Sequence, residues 1–181
     1  MAFDATNPVT VAWAEQHAAD LVTSITADVR ETIRELVVQS FNEGIAPRDV
    51  ARLLRETIGL TPRDAGAVIK RRAKLIKEGA KDVEKKTAKY AEKLLRSRAE
   101  TIARTELMRA SNEGQSELWR QAREKGLLTG FEMKEWLVAD PCPKCAPLEG
   151  EQVLATESFS VGQDPPLHPR CRCTIGLVMP P

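Results

Sequence analysis

All four cysteines of this 181-residue chain lie in its last 40 residues, beside one of its two histidines. Cys142 and Cys145 form a C-x-x-C pair within PCPKCAPLEG, and 22 residues further on His168, Cys171 and Cys173 form an H-x-x-C-x-C group within PPLHPRCRC. Two such groups suit a tetrahedral Zn²⁺, which takes four protein ligands in a structural site. Five donors are offered for four positions, so one is surplus. Four thiolates around one ion would leave about −2 of formal charge, and His168 in place of one of them about −1; Lys144, Arg170 and Arg172 stand close enough in sequence to offset either. The four cysteines are the favoured set, with His168 either replacing Cys171 or Cys173 or supporting a ligand from outside.

The tail needs such an ion. About 50 residues rich in Gly and Pro hold too little apolar surface to fold alone, whereas metal ligation supplies on the order of 10 kcal/mol. If the last segment is a strand, Cys171 and Cys173 point to one face, followed on that face by Ile175 and Leu177, with Arg172 opposite. The rival chemistries fit less well. A redox C-x-x-C expects a βαβ context, disulfides expect an oxidising compartment, and a catalytic zinc would leave a position to water that five donors leave no reason to keep open.

The rest of the chain reads as helix. Asn7 before Pro8 marks a helix start. From there Val22, Ile25, Val29, Ile33, Leu36 and Val37 lay one apolar stripe along a helix expected to run to about Glu43, where Gly44 ends it. IAPRDVARLLR and LTPRDAGAVIK each place Pro just inside a helix start and an acid (Asp49, Asp64) in the first turn, with Thr61 able to cap the second. Asp82 to about Lys125 contains no Pro and only Gly114, which fits one or two long helices ending at Gly126. Beyond Gly130, FEMKEWLV and CTIGLV have strand character. The expected architecture is therefore mainly α with a small C-terminal zinc-bound antiparallel β module: a helical domain over 1–130 and the zinc-binding module over 131–181.

The 42% hydrophobic content is enough to bury a core, and no stretch approaches the roughly 18 apolar residues of a membrane span. The opening MAFDATNPVT has no leader character, so the chain is expected to be soluble, unprocessed and made in the cytosol. Net charge is only +1, but between Lys70 and Arg98 twelve Lys or Arg face four Asp or Glu, leaving the remainder about −7. Lys70, Arg71, Arg72, Lys74, Lys85, Lys86 and Lys89 form the core of that basic patch, a solvated helix face or a surface for an acidic partner or DNA. On the helix that follows, Glu106 and Arg109 are neighbours, as are Arg109 and Asn112, while Arg104 lies on a different face. This polar group is expected to tie the helix to the zinc module. No Ser/His/Asp or Cys/His set supports catalysis, so no enzyme and no small-molecule substrate are expected.

Trp136, Asp140 leading into Cys142 and Cys145, Leu148, Gly150, Phe159 and the run PPLHPRCRC together resemble the C-terminal signature of the phage Mu protein F-like family, also called phage head morphogenesis or minor head proteins. IARTELMRASNEG (Ile102 to Gly114) is similar to the helical segment preceding that signature. The resemblance implies a minor capsid component of a tailed phage or prophage, acting in virion assembly through contacts with portal or capsid proteins. It would sit in the virion, and in the bacterial host cytoplasm during assembly. The alternative is a phage DNA-binding protein that grips phosphate with the 70–98 segment.

Overall fold

The computed structural model describes residues 8–19, 22, 25–139 and 142–180. Five helices come first: α1 (Pro8–His17), α2 (Ala27–Glu43), α3 (Pro47–Thr57), α4 (Pro62–Lys77) and α5 (Val83–Glu124). Three short strands follow, β1 (Met133–Leu137), β2 (Gln152–Leu154) and β3 (Thr174–Val178), in an antiparallel sheet of order β2-β1-β3. The chain is thus mainly helical with a small antiparallel sheet at its C-terminal end.

Local chemistry accounts for most of the boundaries. Thr61 Oγ1 accepts the Asp64 N–H at 3.1 Å, whereas Ala46 makes no side-chain cap and Pro47 alone opens α3. At the end of α5, Gly126 takes φ +68, and the Leu127 and Gly126 amides donate to Ala122 and Arg123 carbonyls, the paired bonds of a glycine-terminated helix. The whole stretch from Val83 to Glu124 is a single helix of 42 residues, about 63 Å long.

One expectation fails. The apolar stripe from Val22 to Val37 predicts a continuous helix from Pro8 to about Glu43, but α1 ends at His17 and α2 begins at Ala27. The stop is tertiary. Glu106 of α5 accepts the Ala19 N–H at 2.9 Å, Arg34 Nε donates to the Ala18 carbonyl at 3.0 Å, and Arg30 donates to the Ala19 carbonyl. Ala19 itself adopts φ +68, and Thr26 Oγ1 then accepts the Val29 N–H to start α2. Val22 and Ile25 keep their apolar role in the connection, packed against the core. The proposed Asn7 cap lies outside the described residues.

The helical core is built on α5, whose Ala99, Ile102, Ala103, Leu107 and Ala110 meet Ile33, Val37 and Phe41 of α2, Val50, Ala51 and Leu54 of α3, and Ala14 of α1. Small residues on α5 allow close approach, and Gly114 allows the closest. A Cβ there would lie 1.9 Å from Thr10 Oγ1 and 2.9 Å from Thr10 Cα. Helix propensity favours Gly114→Ala by about 1 kcal/mol, yet a backbone atom of α1 cannot step aside as a flexible side chain would. A net destabilisation of roughly 1–3 kcal/mol, with loosening of α1 seen as faster amide exchange of its backbone, is the expected result; a stabilised variant would show that α1 does not dock here.

A second core lies under the sheet. Trp136 meets Phe159 edge-on with centroids 5.1 Å apart, and Trp119 and Ala122 of α5 join Leu128, Leu148, Ile175 and three of the cysteines around them. The α5–β1 link is fixed by Glu132, whose carboxylate accepts the Thr129 N–H and hydroxyl at 2.6 and 2.8 Å and the Gly130 N–H at 2.8 Å. Burial would raise its pKa, but these bonds hold the carboxyl down at about 2, against 4.5 for a free group. A folded-state value below the unfolded one means that Glu132 stabilises the fold above about pH 4.5 and loses this contribution as pH falls towards 2. The melting-temperature gap between wild type and Glu132→Gln should therefore close across that interval; a gap constant with pH would contradict the assignment.

Candidate metal centre

The five sequence-predicted donors converge. Cys142, Cys145 and His168 form one triad whose ligand atoms lie within 4.8 Å of one another, and Cys145, Cys171 and Cys173 form a second. Cys145 belongs to both. Its sulfur is 3.2 Å from His168 Nε2 and 3.8 Å from the Cys171 sulfur, and the Cys142 sulfur is also 3.2 Å from His168 Nε2. Two sulfurs bound tetrahedrally at about 2.3 Å from one zinc would be roughly 3.8 Å apart. No disulfide joins the cysteines. This Cys/His cluster could hold a metal ion.

The donors reach this arrangement on two turns of the same kind. Cys145 N–H donates to Cys142 O at 3.0 Å and Cys171 N–H donates to His168 O at 3.1 Å, so each turn presents residues i and i+3 on one side. The segments themselves, CPKC and HPRC, share a ligand, a proline, a cation and a cysteine in that order. Nδ1 of His168 lies 2.9 Å from the Pro169 carbonyl; a proton held on that nitrogen would leave the Nε2 lone pair of the neutral ring facing the sulfurs, the orientation a metal ligand needs. Cys171 and Cys173 precede β3, and the expected alternation holds, with both buried, Arg172 exposed and Ile175 buried.

The electrostatics divide the four thiols: Cys142 and Cys171 are drawn towards the thiolate, Cys145 and Cys173 away from it. The Cys145 N–H, followed by that of Lys144, draws the Cys142 thiol down to about 7. Burial raises Cys171, but the Cys173 and Leu167 amides outweigh it and leave the thiol below its ordinary value. Burial and the neighbouring sulfurs push Cys145 far up. Burial raises Cys173 too, opposed by the indole N–H of Trp136. That buried Nε1 has no hydrogen-bond partner of ordinary geometry among the described residues.

Three clasps hold the centre to α5. Asn112, with no exposed surface, donates from Nδ2 to the Pro165 and Cys173 carbonyls at 3.0 and 3.2 Å and accepts the Thr174 hydroxyl at 2.8 Å. Arg170, at φ +64, donates from its backbone to Thr105 Oγ1 and from its guanidinium to Thr101 Oγ1, Ser97 Oγ and the Ser97 carbonyl. Asp164 takes the Ser116 hydroxyl at 3.2 Å and the buried Lys134 ammonium at 2.6 Å, and that ammonium also lies 5.0 Å from the centre of the Phe159 ring. The loop carrying Asp164 and Pro165, the turn carrying Arg170 and the start of β3 are thus each tied to one helix.

The profile of the Phage Mu protein F like protein family matches residues 31–176. The chain belongs to this family. The match reaches well past the C-terminal signature, through α2, α3 and α4. No curated protein and no solved structure matches the chain. Membership in a Mu F-like family points to phage head morphogenesis, and no helix among the described residues is long and apolar enough to cross a membrane.

The other sequence-predicted residues of this Mu F-like protein divide. Of the polar group on α5, only Asn112 ties the helix to the tail. Among the described residues no hydrogen bond or ion pair joins Glu106 to Arg109: Glu106 closes the end of α1, and the Arg109 guanidinium lies over Trp13, 5.3 Å from its ring centre. Arg104 is half-buried and contributes to neither. Two of these side chains therefore hold α1 rather than the metal centre, because the helical neighbours i and i+3 point across a face that α1 covers. Arg170 and the Ser97, Thr101 and Thr105 ladder escaped sequence reading, although the ladder's four-residue spacing was a usable signal. Lys70, Arg71, Arg72, Lys74, Lys85, Lys86 and Lys89 are all exposed on α4 and the first turns of α5, where Arg72 pairs with Glu84 at 2.6 Å and Lys74 with Glu78 at 3.7 Å. Asp140 lies outside the described residues.

Proposed function

We propose that this Mu F-like protein is a non-catalytic factor of phage head assembly that binds portal or capsid proteins, and that a structural Zn²⁺ held by Cys142, Cys145, His168 and Cys171 shapes the tail for this role. The assembly reading is carried by membership in the Mu F-like family over residues 31–176, and the metal reading by the two matched turns, which meet at Cys145, and by the clasps that fasten the tail to α5. A mixed set of thiolates and imidazole suits zinc better than the hard divalent cations, which prefer oxygen. With four protein donors such an ion offers no position to a substrate, and its task is to hold backbone in place. Cys173 is the donor left over, its sulfur within reach of the Trp136 indole N–H.

Co-expression with the portal and major capsid proteins of the same phage genome tests the reading. The chain should co-elute with at least one of them on gel filtration, and elution apart from both would overturn it. The DNA-binding alternative predicts affinity that falls steeply with salt, with a log–log slope reflecting several phosphate contacts. Weak binding that is flat in salt would remove it.

A further inference from the structure

The face of α4 that looks away from α5 carries a seam left open by the described residues. Ile69 is 69% exposed and Ile76 53%, Ala73 between them is exposed, and a Cβ added to Gly66 would meet no atom within 4 Å. Gly66, Ile69, Ala73 and Ile76 follow one another at spacings of three, four and three, the a/d register of a coiled-coil seam. The opposite side of α4, with Leu75 buried, already packs on α5. The α4–α5 hairpin is otherwise thin: between residues 62 and 98 only Leu75 and Thr87 are buried. Two isoleucines more than half exposed on so slender an element gain little from the chain's own fold.

The residues beside the seam identify what fits it. Lys70 and Lys77 flank it on one side, in the e positions that choose a coiled-coil partner by charge, while Arg72 on the other side is already paired with Glu84. Pairing with a second copy of the same helix would set cation against cation. Nucleic acid would satisfy the cations but leave Ile69 and Ile76 without a counterpart, since phosphate contacts need no apolar seam. We infer that α4 docks an amphipathic helix of another protein, with apolar residues at its own a and d positions and Asp or Glu beside them. This inference rests on the assembly reading and names the chemistry of one contact within it.

The test uses the full chain with a synthetic peptide of about three heptads, leucine at a and d and glutamate at e and g, followed by fluorescence anisotropy. Its twin with lysine at e and g, and a DNA duplex of about 20 base pairs, serve as competitors. The glutamate peptide should bind roughly tenfold or more tighter than the lysine peptide, and Ile69→Asp with Ile76→Asp should remove that binding while leaving metal content unchanged. Lys70→Glu with Lys77→Glu should reverse the preference between the peptides. Equal binding of both peptides, binding untouched by the isoleucine substitutions, or a duplex that outcompetes the glutamate peptide would each overturn the inference. Co-elution separates the two levels. If the isoleucine variant still co-elutes with a portal or capsid protein as wild type does, this contact is refuted while the assembly reading stands; if wild type itself fails to co-elute, the assembly reading falls.

Discussion

Replacing Cys145 with serine is expected to abolish metal binding and to melt the sheet of β1, β2 and β3 while leaving the helical core folded. Cys145 is the only donor common to both triads, so its loss breaks the one point where the two turns meet. The centre lies inside the second core, next to Leu148, Phe159, Trp136 and Ile175, and the sheet's strands are only five, three and five residues long. Structural zinc supplies on the order of 10 kcal/mol in small sites, more than so small a sheet can replace from apolar burial. The helical core around Ile33, Leu54 and Ala103 is a separate buried cluster that contains none of the donors. Far-UV circular dichroism should therefore change little, while amide-exchange protection from Met133 to Val178 should collapse. Cys171→Ser should behave in the same way. Cys173→Ser should retain the ion, and a Cys173→Ser chain that loses metal while Cys171→Ser keeps it would reverse the assignment of the spare donor.

Asn112→Ala should be the most costly single change outside the centre itself. The amide serves three partners at once, the Pro165 and Cys173 carbonyls and the Thr174 hydroxyl, in a position with no exposed surface. Deleting it leaves groups that water does not reach, and each unsatisfied buried polar group costs about 1–3 kcal/mol. A loss of roughly 3–5 kcal/mol in chemical denaturation is expected, together with increased exchange of the β3 amides. Asn112→Asp should not rescue it, since a carboxylate still accepts from Thr174 but has no N–H to give the two carbonyls. A cost below about 1 kcal/mol would mean that Asn112 is not the bolt between α5 and the tail.

Features whose causes lie close together in the chain were legible. Thr61 caps α4, Pro47 and Pro62 open their helices and Gly126 closes α5 where local rules place them, and the alternation around Trp136 and Ile175 marked two of the three strands. β2, at three residues, is too short to carry a period. The Cys/His cluster was legible because sulfur and imidazole are rare and were concentrated, and the kinship of CPKC with HPRC could have been read from the letters alone. What escaped was fixed from a distance. The stop of α1 is made by Arg30, Arg34 and Glu106, which reach back from other helices, so a continuous apolar stripe ran through a break. Arg109 was assigned to the tail because helix geometry makes it a neighbour of Asn112, yet Trp13 covers it from a helix almost a hundred residues earlier.

Mass spectrometry under native conditions, compared with the same sample in acid, bears most directly on the claim that the two cysteine-bearing turns close around one ion. The native chain should be heavier by a single zinc ion, and the denatured chain should keep the full complement of thiol hydrogens. Equal masses in both conditions, or a denatured chain lighter by the hydrogens lost to disulfide formation, would contradict it.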